Sequence, residues 1–100
     1  MNTFTQKNPN ENEVFSMDFV NNLALNESIT SATATITLKS GVTDPDMNTM
    51  LVGVPVINGT IVSQSVQGGI NGNYYYLQLT ANTPNQILVG RAILPVSVEK

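Results

Sequence analysis

The chain has 100 residues, of which 41% are hydrophobic and only 11% charged, with a formal net charge of -3. That length suits one domain with a single core, and the charge content is far below the roughly 25% of an ordinary soluble protein. The four basic residues, Lys7, Lys39, Arg91 and Lys100, are scattered, so the clustered footprint that nucleic-acid binding needs is missing and no nucleic-acid partner is expected.

Cysteine and histidine are both absent. Disulfides, thiolate ligands, the commonest general base and the commonest metal ligand therefore drop out together. The N-terminus, Met1 to Asn8, carries no apolar h-region of a signal peptide. No apolar run approaches the roughly 20 residues of a membrane helix. Synthesis in a cytoplasm without a membrane partner is the expectation.

Residues 1–12 are polar, with Phe4 as their one bulky apolar anchor, and predict an extended N-terminal arm. Residues 13–100 form the domain proper. Val14 to Phe19 reads as a strand with Phe15, Met17 and Phe19 on one face and Asp18 on the other. The connection that follows carries one short helical turn around Val20 to Leu25. Ile29 to Leu38 is the clearest strand: Ala32, Ala34, Ile36 and Leu38 face inward, and Ser31, Thr33, Thr35 and Thr37 face water. A loop from Lys39 to Asp46 leads to the ambiguous stretch Met47 to Val56, where Gly53 and Pro55 interrupt the apolar run. Pro55 lacks an amide donor, which puts its strand at an edge or on a bulge. Asn58-Gly59 signals a two-residue hairpin between β-forming segments, with a return strand from Thr60 to Gln67.

A glycine-rich corner then feeds the strand Tyr74 to Ala81. Gly68, Gly69, Asn71 and Gly72 are read as the positive-φ positions of the corner. Alternation sends Tyr75, Leu77 and Leu79 inward, and Tyr74, Tyr76, Gln78 and Thr80 outward. Asn82 to Asn85 reverses the chain, and a last strand spans Ile87 to Val98 with a bend or a change of partner at Pro95. Short strands at this spacing with almost no helix spell an all-β fold, an antiparallel β-sandwich. Tyr75, just past the glycine corner and two residues before the inward Leu77, resembles the tyrosine corner of immunoglobulin-like domains. A single immunoglobulin-like sandwich of about seven strands, with its N-terminal arm, is the predicted architecture.

Chemistry is sparse. Asp44-Pro45-Asp46, with Asn48, is the only local cluster of hard oxygen ligands, and it lacks the Gly and distal Glu of a calcium loop. Glu13 and Asp18 fall on opposite faces of one strand, and hydroxyl groups lack a base, since histidine is absent and no lysine reads as buried. No catalytic, metal or cofactor-binding residue is assigned, and an enzyme is not expected. Tyr74 and Tyr76 are displayed together and, with Phe4, are the candidate partner contacts.

Four stretches read together carry a resemblance: Glu13 to Phe19, Leu25 to Ala32, Val66 to Leu77, and Thr83 to Val96. Their order and spacing resemble the small β-sandwich virion structural proteins of tailed bacteriophages, with their pattern E-x-x-x-F-x-x-D-F, G-E-x-I-x-S-A, G-G-x-x-G-x-x-Y-x-L, T-x-x-G over about residues 11–98. Asn26 and Asn85 stand where that pattern has glycine, and both tolerate positive φ. The resemblance implies a non-enzymatic, multi-copy component of a virion, made in the bacterial cytoplasm. Its place would be head decoration or a head–tail or neck accessory, its partners other virion proteins (capsid, neck or tail), its dock the N-terminal arm and sheet edges. The alternative is a tail or fibre module that binds host-surface glycan or receptor through Tyr74 and Tyr76.

Overall fold

The alternating segments become strands in the computed structural model, which describes residues 2–98. Met1, Glu99 and Lys100, the outer limits of the predicted arm and domain, lie outside the described residues. Among the described residues seven strands follow one another: β1 (Asn2–Thr3), β2 (Asn12–Asp18), β3 (Ser31–Ser40), β4 (Leu51–Asn58), β5 (Ile61–Gln67), β6 (Tyr74–Asn82) and β7 (Ile87–Pro95). Six of them have seven residues or more, against about seven expected. The other pairs over only Asn2–Thr3, in parallel with Ala92 and Ile93 of β7. One sheet runs β1-β7-β6-β3 and the other β2-β5-β4. The fold is all-β, with antiparallel pairing throughout both sheets apart from β1.

The core forms where the inward faces meet. Phe15 and Phe19 from one side of the chain, Val62 and Val66 from β5, Tyr75, Leu77 and Leu79 from β6, and Leu94 from β7 are all buried. The predicted alternation holds on β3, where Ile36 is buried and Thr33, Thr35 and Thr37 are exposed. Burying each large apolar side chain contributes about 1.5–3 kcal/mol.

Several connections differ locally from expectation, each for a readable reason. The hairpin ladder keeps Asn58 paired with Ile61, so the two loop residues are Gly59 and Thr60 rather than Asn58 and Gly59. Gly59 takes φ +63° while Thr60 does not enter positive φ, the pattern of a type II′ turn, which matches strand twist. At the corner, Gly68, Gly69 and Gly72 have positive φ but Asn71 does not. Its side chain works instead as an acceptor, taking the Val98 N–H at 3.0 Å. Asn26 does adopt φ +66°, and Asn85 leaves that freedom unused. Pro55 sits on β4, an edge strand whose register with β5 breaks between Val52 and Val56. Inside that break, the buried Gln64 amide donates to the carbonyls of Val52 (3.2 Å), Gly53 (3.3 Å) and Ser65 (2.9 Å).

A polar network pins the corner to the core. The Ile70 N–H donates to the Tyr75 hydroxyl at 3.0 Å, and that hydroxyl donates to Asp44 Oδ2 at 2.9 Å. Asn73, also buried, brackets Val42: the Val42 N–H donates to Asn73 Oδ1 and Asn73 Nδ2 donates to the Val42 carbonyl, both at 2.8 Å. Asn73 Nδ2 also reaches the Tyr75 hydroxyl at 3.2 Å. A β-carbon on Gly41 would stand 2.2 Å from Asn73 Oδ1, and Gly41 has φ +119°, so this approach admits glycine alone. Burial raises the phenol pKa of Tyr75 above its ordinary 10, the Ile70 N–H opposes the rise, and the Asp44 carboxylate adds to it.

Candidate interaction surface

The outer face of the β3–β6–β7 sheet is built by alternation. Cross-strand register sets Thr37 beside Tyr76 and Ile93, and Thr35 beside Gln78 and Arg91. Tyr74 is exposed at 45%. Tyr76 is half-buried because the Arg91 guanidinium lies 3.9 Å from its ring centroid, a cation–π contact that occupies that side of the ring. Phe4 is not brought to this face. Its ring packs 4.8 Å from that of Phe15, tilted by 52°, against the core.

The segment that carries Phe4 lies along β7. The Phe4 N–H donates to the Ile93 carbonyl and the Lys7 N–H to the Pro95 carbonyl, at 2.8 and 2.9 Å, and Lys7 accepts from the Ser97 N–H. Lys7 is fully buried. This corrects the sequence expectation that no lysine is buried. Its ammonium donates to the Gly68 carbonyl at 2.7 Å and the Asn8 carbonyl at 2.8 Å. A buried cation held by backbone acceptors is a positioning device, since removing either side strands the other. No sequence signal marks it: Lys7 lies in a polar stretch that reads as solvated.

Asp44, the head of the predicted oxygen cluster, spends both carboxylate oxygens inside the chain. One accepts the Asp46 N–H at 3.1 Å and the other the Tyr75 hydroxyl. Asp18 accepts from the Val20 N–H and the Thr60 hydroxyl, both through Oδ1. Glu27 ties the loop before β3 to the one before β7. Its carboxylate accepts from the Ala24 N–H at 3.0 Å, the Thr83 hydroxyl at 2.7 Å and the Gln86 amide at 2.6 Å. These bonds, the Ala24 one foremost, lower its pKa below the ordinary 4.5.

The sheet margins are unequal. Residues 2–7 cover the upper part of β7, and β2 carries Glu13 and Asp18. The edge of β4 is broken and holds Pro55. β3, the other outer strand, is ten residues long without proline or glycine, and its one charge is Lys39 near its end. Edges are usually guarded by such breaks, charges or covers; on β3 they gather at its end, where the register shifts between Leu38 and Ser40 beside Lys39, and residues 31–38 are left as a regular stretch. A cleft of about 220 Å³ opens between β3 and β4, with Ala32, Ala34, Leu51 and Pro55 in its lining. No family model matches the chain, and neither curated proteins nor solved structures yield a match.

Proposed function

We propose that the chain is an immunoglobulin-like sandwich that serves as a non-enzymatic, multi-copy structural component of a tailed-phage virion. It acts as a head-decoration or head–tail accessory protein and docks by strand addition at β3. The fold part is supported by the strand orders β7-β6-β3 and β2-β5-β4, by β1 running parallel to β7, and by the Tyr75 hydroxyl returning to Ile70. The virion part is supported by the sequence resemblance. The observation that carries the docking is the regular stretch 31–38 of the outer strand β3, which holds no proline, glycine or charge, because the outer side of an edge strand offers unpaired backbone groups. Residues 2–7 are held on β7, so docking through the arm first requires its release.

The test is to mix the purified chain with phage particles depleted of it and count bound copies on gradient-purified particles. Saturable binding at many copies per particle is expected. A folded chain that leaves the particles unlabelled contradicts the reading. The glycan alternative rests on Tyr74, because Arg91 already covers Tyr76. It predicts saccharide binding that Tyr74→Ala removes, read on a glycan array.

A further inference from the structure

Asparagine followed by glycine occurs twice, at Asn58-Gly59 and Asn71-Gly72. In such a pair the glycine amide nitrogen, with no side chain beside it, can attack the asparagine Cγ. A C–N bond forms to close a succinimide ring, the carboxamide C–N bond breaks, and ammonia leaves. Water then opens the ring at either carbonyl and gives aspartate or isoaspartate. The reaction consumes only water and changes no oxidation state.

The two pairs are chemically alike but are held differently. At the corner, the Gly72 N–H donates to the Val96 carbonyl at 2.8 Å, which ties up the attacking nitrogen. The Asn71 carboxamide oxygen accepts the Val98 N–H at 3.0 Å, which holds the electrophile in place. At the hairpin neither lock exists. Among the described residues the Gly59 N–H has no hydrogen-bond partner and the Asn58 carboxamide makes no hydrogen bond, whereas the space around a β-carbon at Gly59 and at Gly72 is equally open. Both asparagines are exposed, Asn58 at the tip of the β4–β5 hairpin and Asn71 at the corner, so the hydrogen bonds and not access separate them.

We infer that Asn58 is a site of spontaneous, selective deamidation, and that the fold shields Asn71 from the same reaction. The product matters for the hairpin. Asn58 and Asp18 both pair with Ile61, so a carboxylate at position 58 joins a row that already holds one. Isoaspartate also inserts a methylene into the backbone at the closing pair of the turn, which loosens the Asn58–Ile61 pairing.

The test is incubation of the full chain at 37 °C in mildly alkaline buffer, followed by fragment-ion mass spectrometry. Fragment ions are needed because both sites fall in the tryptic peptide 40–91. Conversion at Asn58 should exceed that at Asn71 by at least about tenfold, the factor that two ordinary hydrogen bonds supply when both must open first. In concentrated urea the two rates should converge, since the locks are gone. Equal rates in the folded chain, faster loss at Asn71, or a preference for Asn58 that persists in urea would each overturn the inference.

Discussion

Tyr75 shows how much a single polar atom does in this fold. Its ring fills the core while its hydroxyl accepts from Ile70 and Asn73 and donates to Asp44. Tyr75→Phe keeps the ring and strands those partners, so it should destabilise by about 1–3 kcal/mol in urea unfolding. Tyr74→Phe, on the exposed side of the same strand, should stay within about 0.5 kcal/mol. Glu27 gives a pH signature. Its folded pKa is depressed, so its contribution is complete above the ordinary carboxylate value and is lost as pH falls through the folded one. The unfolding midpoint should drop as pH is lowered below about 4.5, and Glu27→Gln should flatten that part of the profile. An unchanged slope in the variant would assign the acid sensitivity to other carboxylates. Tyr75 was legible in the sequence because a glycine corner followed by alternation puts it inward at a strand start. Its acceptor Asp44 was not, since it lies 31 residues away and local pattern carries no long-range partner.

At the scale of elements, alternation in Ser31 to Leu38 and Tyr74 to Ala81 announced β3 and β6, because period two is what a half-buried strand imposes. Pro55 announced an edge or a bulge, because a missing donor is tolerated there, and it lies in a break on an edge strand. Residues 1–12 read as a polar arm for want of apolar content, and the seat of residues 2–7 on β7 rests on backbone bonds and on the Lys7 ammonium, neither of which leaves a mark on hydropathy. Lys7→Met retains the stem and removes the donor to Gly68 and Asn8. It should loosen the segment, read as faster hydrogen exchange at the Phe4, Lys7 and Ser97 amides while the β3–β6 amides stay protected. Unchanged exchange at Phe4 and Lys7 would mean that Phe4 packing alone holds the segment. The Asn58-Gly59 signal found the hairpin but misplaced its centre by one residue, since the ladder closes on Asn58 and Ile61.

At the scale of the molecule, among the described residues the β3 margin has the longest regular stretch without proline, glycine or charge, residues 31–38. A chain with few charges and such an outer strand can pair with an added strand, which is the docking proposed for it. The margins were only partly readable in sequence: Pro55 marked β4, but that β3 ends a sheet follows from strand order, which depends on long-range pairing. The most direct test replaces Thr33, Thr35 and Val54 together with lysine. All three are exposed, so folding should be little affected while the edges gain charge. Wild-type and triple-variant chains would be compared for copies bound per depleted particle, with matched circular dichroism. The account predicts that the variant folds and binds at least about tenfold more weakly, as the loss of a few backbone hydrogen bonds requires. Binding of the folded variant at the wild-type level would contradict docking at the β3 edge.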